Sequence, residues 1–130
     1  MKYAKIFTAF LLLHLMAWVA AHFYLQANVA PVLVVVDTSF SMKEKFPQVK
    51  NWIENFEKRS RYKKILIGTD KAMLGNLNDL QSTEVIFRTS FGKLQESNLN
   101  RHYGQTKARE KILLSDIDHS LPGWELVTFK

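Results

Sequence analysis

The stretch VLVVVDTSFSM, at residues 32–42, decides the fold that this sequence predicts. It opens with five consecutive apolar residues, four of them valine. Such a run is typical of a strand buried on both faces, at the centre of a parallel sheet. The apolar run stops at Asp37. A carboxylate at the carboxyl end of such a strand lies where open α/β sheets bind their ligands.

The residues after this strand offer oxygen atoms at regular intervals. Ser39 and Ser41 follow Asp37 two and four positions later. Three short oxygen ligands, with water completing the shell, suit Mg²⁺ or Mn²⁺. The alternative is that these residues only cap the next helix, since Asp and Ser are favoured there. The position between an apolar strand and an amphipathic helix favours the metal site.

The pattern of four apolar residues followed by D-x-S-x-S-M, at residues 33–42, resembles the metal-ion-dependent adhesion motif of von Willebrand factor A (VWA) domains. In that family a later strand ends in a Thr-Asp or Ser-Asp pair whose Asp supports the ion. Here EKILLSD, at residues 110–116, has this form. The resemblance implies a metal site for Mg²⁺ or Mn²⁺ formed by four residues: Asp37, Ser39, Ser41 and Asp116. It also implies a partner protein that offers a carboxylate to the ion.

The sequence departs from the family pattern in three ways. It is shorter than the family, and Ile117 stands where a Gly commonly follows the second Asp. The family also supplies a threonine from a loop before the Asp116 strand. This sequence has four candidates for that role: Thr89, Ser90, Ser97 and Thr106. A site that has lost its metal is therefore the alternative to a working one.

The amino terminus carries an apolar leader. Residues 6–25 contain no Asp, Glu, Lys or Arg, and Lys2 and Lys5 precede them. This pattern fits an uncleaved membrane helix or a secretory signal peptide, with a small-residue cleavage site at residues 19–21. We favour the membrane anchor, because the apolar run continues through aromatic residues suited to a membrane interface.

With the two lysines held inside, the rest of the chain faces outward as a single-pass membrane protein. Cleavage would instead give a secreted or periplasmic domain. We predict a leader and short tether at residues 1–30 and a truncated VWA-like domain at residues 31–130. The expected fold class is α/β, with a small, mostly parallel, doubly wound (Rossmann-like, VWA-type) sheet preceded by an N-terminal hydrophobic helix.

Composition excludes several kinds of chemistry. The 130 residues include no cysteine, so a disulfide, a zinc-thiolate site and a thiol nucleophile are all ruled out. The formal charge is +6, and no nucleic-acid motif accompanies it. The densest basic run, residues 58–64, is interpreted as a solvated helix end, with an acidic partner or a lipid surface as alternatives.

Periodicity predicts the remaining elements. A helix begins at Pro47 and covers the sheet. Strands are predicted at residues 64–69, 83–89, 110–116 and 124–129, a short helix or irregular loop at 71–80, and a short helix at 99–107. Asp70, after the second strand, is either an outer-shell carboxylate or a turn residue. Asp118 and His119 are interpreted as a solvated loop.

These features favour an exported binding module without enzymatic activity or a small-molecule substrate. A metal-free structural subunit of a membrane complex is one alternative. A Mg²⁺-dependent phosphoesterase with Asp37 as nucleophile is another. The enzyme is disfavoured because haloacid-dehalogenase-like enzymes use a second Asp where Ser39 stands, and no Gly-rich phosphate cradle is present.

Overall fold

The computed structural model describes residues 1–60 and 63–130 and contains three α-helices, five strands and three 3₁₀ segments. The helices are α1 (Lys2–Ala27), α2 (Phe46–Arg59) and α3 (Glu96–Tyr103). The strands are β1 (Ala30–Val36), β2 (Lys63–Thr69), β3 (Met73–Asn76), β4 (Glu110–Ser115) and β5 (Glu125–Thr128). The 3₁₀ segments are Phe40–Lys45, Leu77–Asp79 and Thr83–Phe87. Arg61, within the predicted basic run, lies outside the described residues.

The five strands form one mixed sheet in the order β3-β2-β1-β4-β5. Strands β2, β1, β4 and β5 are parallel, and the edge strand β3 is antiparallel to β2. The predicted central position of the 32–36 strand is therefore confirmed. The fold is α/β with a mostly parallel sheet and an apolar N-terminal helix.

Alternate residues of β1 face two separate cores. Helix α2 covers one face of the sheet and helix α3 the other, so β1 is buried on both sides. The first core includes Val32, Val34, Val36, Val49 and Ile53. The second includes Leu33, Val35, Leu99 and Tyr103.

Helix α1 stands apart from these cores. None of its 26 residues is buried, and its mean hydropathy is 1.9 over the most apolar window. It is long and apolar enough to span a membrane or to act as a signal sequence. An exposed apolar helix of this kind is consistent with membrane association.

Two predicted elements were wrong. Residues 73–76 form strand β3, whereas the sequence predicted a helix or loop at 71–80. Gly75 within this strand has a φ of 117°, a backbone conformation that glycine adopts readily and other residues rarely adopt. The predicted strand at 83–89 is instead the 3₁₀ segment Thr83–Phe87. Ser82 accepts a hydrogen bond from the Glu84 amide at its start, so local capping overrides the β-branched composition.

Candidate functional site

Three aspartates follow three neighbouring parallel strands at one edge of the sheet. Asp37 follows β1, Asp70 follows β2 and Asp116 follows β4. The Asp37 amide donates to Leu114 O at 2.9 Å, and the Asp70 amide donates to Val36 O at 3.1 Å. After β1 the chain forms β2 on one side of that strand, and it later forms β4 on the other side. In open α/β sheets, ligands bind at such a change of direction, which here is the crevice between β1 and β4.

Asp37 is fully buried and its carboxylate is held on both oxygens. Oδ1 accepts the Ser39 amide at 2.8 Å, and Oδ2 accepts the Ser115 hydroxyl at 2.6 Å. Ser115 is itself fully buried. Asp37 therefore joins its own loop to the end of β4. Each carboxylate oxygen can accept one further bond.

The hydroxyls of Ser39 and Ser41 lie beside each other in the loop after Asp37. Their oxygens are 3.2 Å apart. Ser39 is 3% exposed, whereas Ser41 is open to solvent. Ser41 is also close enough to Asp116 to lower the pKa of that carboxyl. The structure thus places Ser39 and Ser41 side by side as a row of hydroxyls, with Asp37 bound to the Ser39 amide and Asp116 near Ser41.

Asp116 carries a partner that sequence reasoning missed. Lys45 Nζ lies 3.2 Å from Asp116 Oδ2, in a pair whose side chains are 23% and 20% exposed. Burial alone would raise the pKa of Asp116. Hydrogen bonds from Ser41 and Lys45, together with the charge of Lys45, outweigh that effect and hold the pKa below its usual value. No local signal marks Lys45, since the two residues are 71 positions apart.

The Asp70 carboxylate binds the start of the loop that follows β1. Its Oδ1 accepts the Thr38 amide at 2.9 Å and the Thr38 hydroxyl at 2.6 Å. Lys71 Nζ lies 3.1 Å from Oδ2 and also donates to the Thr38 carbonyl at 3.0 Å. These bonds occupy the carboxylate and fix the start of the loop that carries the serines.

A second loop pairs with the serine loop. The Phe40 amide donates to Gly92 O at 3.1 Å, and the Phe91 amide donates to Thr38 O at 3.1 Å. The Ser90 hydroxyl donates to Ser39 O at 3.1 Å. Of the four hydroxyl residues considered for the family threonine, Ser90 is the one whose described contact reaches this loop.

Two exposed aromatic residues flank the row of hydroxyls. Phe40 is 71% exposed and Phe91 is 60% exposed. The backbone pairing of their loops places both at the same edge of the sheet. Exposed apolar side chains beside a polar site are a common feature of surfaces that bind proteins.

The oxygen atoms in this row suit a hard cation. Adjacent ligands of an octahedral Mg²⁺ with bonds of about 2.1 Å lie roughly 3 Å apart. The Ser39–Ser41 separation of 3.2 Å is close to this value. Among the described residues, no group of three or more His, Cys, Asp or Glu side chains could hold a metal. An ion here would therefore depend on the serine hydroxyls, and it would compete with Lys45 for Asp116.

Asp118 and His119 lie outside this arrangement. Both are exposed, and His119 Nε2 lies 2.7 Å from Glu96 Oε1 at the start of α3. The imidazole of His119 is therefore paired with the Glu96 carboxylate at the surface of the protein.

Together these features define an α/β sheet protein with a polar site at the carboxyl edge of its parallel strands and an apolar helix at its amino terminus. No family model, no curated protein and no solved structure matches this chain. A more particular assignment therefore depends on the residues at the edge of the sheet.

Proposed function

We propose that this protein is an exported, membrane-anchored binding module of VWA type, with a small doubly wound, Rossmann-like sheet. Its site would hold Mg²⁺ or Mn²⁺ through Ser39, Ser41 and Asp116, with Asp37 behind them. The observation that supports this proposal best is the pair of hydroxyls at the carboxyl edge: Ser39 lies 3.2 Å from Ser41, and Ser41 is near enough to Asp116 to lower its pKa. Ser90 is the proposed counterpart of the family threonine.

The proposed ligand of this site is a carboxylate on a partner protein. Two hydroxyls and a carboxylate leave a divalent ion with residual positive charge. A partner Asp or Glu would complete the coordination shell, and burying that carboxylate is favourable only where it meets a cation. Phe40 and Phe91 would add apolar contact area around the ion.

The proposed location follows from α1. As a membrane helix with Lys2 and Lys5 on the cytoplasmic side, α1 would place the sheet outside the cytoplasm. The strand β1 begins three positions after α1 ends and runs away from that point. The candidate site would then lie at the edge of the sheet farthest from the bilayer.

The test is the thermal stability of the full chain in detergent micelles, with Mg²⁺ and with a chelator. An ion at a hundred times its dissociation constant should add about 2.7 kcal/mol, which is several degrees in melting temperature. Ser41→Ala should abolish this shift because it removes an exposed ligand. Ser97→Ala, an exposed serine on α3, is the matched control and should keep it.

Asp37→Ala is a poor test of metal binding. The substitution would leave the Ser39 amide and the buried Ser115 hydroxyl without their acceptor. Each unsatisfied buried group costs about 1–3 kcal/mol. Loss of stability would therefore be expected whether or not an ion binds.

A specific observation also favours a second candidate, a metal-free structural subunit of a membrane complex. Lys45 already provides a positive charge at Asp116, 3.2 Å from Oδ2. In that case Mg²⁺ would not change the melting temperature of the wild-type chain. A shift that depends on Ser41 would exclude this second candidate.

A further inference from the structure

The opposite edge of the sheet, where the parallel strands begin, lies next to the end of α1. Helix α1 ends at Ala27 and β1 begins at Ala30. Three residue steps span at most about 11 Å of extended chain. Any membrane crossed by α1 therefore has its headgroup layer close to the first residues of β1.

Basic side chains surround this starting edge. Lys63 and Lys64 lie opposite Ala30 and Pro31 in the register of β1 and β2. The Arg109 amide donates to Pro31 O at 2.9 Å. The last turn of α2 adds two more cations, Lys58 and Arg59. We call this set the basic edge: Lys58, Arg59, Lys63, Lys64 and Arg109, all exposed.

Nearby acidic groups do not neutralise the basic edge. Lys63 Nζ lies 3.8 Å from Glu110 Oε2 in an exposed pair. Glu57 and Glu125 are the other carboxylates in the described elements that meet there. The basic edge therefore has five cationic side chains and three neighbouring carboxylates, so its net charge is positive. A surface of this kind attracts anions at short range.

Aromatic residues lie beside these charges. The rings of Trp52 and Phe56 stack with centroids 4.9 Å apart and remain partly exposed. They line an open groove of about 420 Å³ that also includes Arg59, Lys63 and Glu125. Tryptophan is enriched at the boundary between lipid and water, so Trp52 suits a surface that meets a membrane.

We propose that the basic edge rests on the membrane and binds the phosphates of anionic phospholipids. The proposal depends on the membrane-anchor part of the proposed function and is independent of the ion site. The short connection to α1 favours lipid over a soluble acidic protein, because it confines these cations to the headgroup layer. Cations near an anionic membrane surface are attracted within about a Debye length, roughly 10 Å at 0.1 M salt.

The experiment uses the full chain, one copy per lipid nanodisc. Since the sequence has no cysteine, Ser60→Cys at the end of α2 introduces a single site for a fluorescent label. Quenching of the label by a water-soluble reagent is measured in discs of phosphatidylcholine alone and in discs that also contain phosphatidylglycerol. The label should lose accessibility in the anionic discs and regain it at 1 M salt, where the Debye length falls to about 3 Å.

Charge reversal tests whether the cations cause the protection. The pair Lys58→Glu and Arg59→Glu should restore quenching in anionic discs. The matched control, Lys43→Glu with Lys93→Glu, makes the same change in charge at exposed positions of the opposite edge and should leave the label protected. A label at Ser97→Cys, on the first turn of α3, should be quenched equally in both lipids.

Two results would overturn the lipid contact. The first is equal quenching at residue 60 in both kinds of disc. The second is protection that survives reversal of Lys58 and Arg59. Co-elution of the chain with the discs reports the anchor separately: failure to co-elute would remove the anchor and this proposal together. Co-elution with equal quenching would overturn the lipid contact alone.

Discussion

At the scale of single residues, Lys45 decides how the candidate site behaves towards a cation. Its ammonium lies at Asp116, where the proposed ion would also need the carboxylate. A lysine in this position lowers the affinity for a divalent ion through competition and charge repulsion. Because Lys45 is about a quarter exposed, it can move into solvent when an ion binds.

We predict that Lys45→Met increases the affinity of the full chain for Mg²⁺. The substitution retains a flexible apolar stem and removes the competing charge. If the charge of Lys45 makes the free energy of Mg²⁺ binding less favourable by about 1.4 kcal/mol, its removal would lower the dissociation constant tenfold. Calorimetric titration in micelles measures this change. Lys43→Met, an exposed lysine of the same 3₁₀ segment, is the control and should have a smaller effect.

Asp116 also predicts a dependence of stability on pH. Its pKa in the folded chain is below the usual value, so its ionised form contributes stability at higher pH. This contribution is present above a pH of about 4 and is lost as the pH falls through the folded pKa. The pair is partly exposed, so about 1 kcal/mol or less is expected. Melting curves between about pH 3 and 6 should show a shallower decline for Lys45→Met than for the wild type.

The sequence predicted that Asp37 and Asp116 follow parallel strands at one edge of the sheet, but it did not predict their side-chain contacts. Asp37 and Asp116 end apolar strands, and parallel strands place such ends at one edge. Lys45 was missed, and Ser90 could not be chosen among its four candidates, because each meets its partner across more than 50 positions of sequence. Contacts of that kind depend on how the loops pack, which no local pattern records.

At the scale of elements, the contact between β2 and α3 controls how closely the helix approaches the sheet. A Cβ atom at Gly68 would lie 2.3 Å from the Tyr103 hydroxyl oxygen. That buried hydroxyl also donates towards the carbonyls of Thr69 and Ala72. Burial and the charge of Asp70 raise the pKa of Tyr103, so the phenol keeps its proton. Glycine in β2 therefore sets the position of α3.

We predict that Gly68→Ala destabilises the full chain by about 1–3 kcal/mol, the usual cost of overfilling a core. The measurement is the melting temperature in micelles. Tyr103→Phe removes the clashing oxygen, so the double variant should lose less than the sum of the two single variants. Additive losses would mean that the helix moves away from the sheet without strain.

The elements that were predicted well are those with one dominant signal. The β1, β2 and β4 strands are short apolar runs, and α2 combines a Pro near its start with a regular apolar stripe. The β3 strand and the 3₁₀ segment Thr83–Phe87 carry weak or conflicting signals. The structure of β3 depends on a glycine with positive φ, and that of the 3₁₀ segment depends on Ile86 entering the core with Phe87 packed against it. Neither is determined by composition alone.

At the scale of the whole molecule, the unpacked helix α1 predicts stable association with membranes. None of its residues contacts the cores of the sheet strongly enough to be buried. Leu13→Arg would place a charge near the middle of the helix, at a cost of about 2.5–3.5 kcal/mol for membrane insertion. We expect the wild-type chain to resist alkaline extraction from membranes and the variant to be released in greater amount. Leu13→Ala is the control, and it should remain in the membrane fraction.

If α1 spans a membrane, the direction of β1 also limits which molecules the protein can reach. This strand begins three positions after α1 ends, and its seven residues extend about 23 Å. If the basic edge rests on lipid, the row of hydroxyls stands at a nearly fixed height above the bilayer. The proposed site would then bind acidic groups that project to that height. It would not reach identical groups that lie flat on the same membrane.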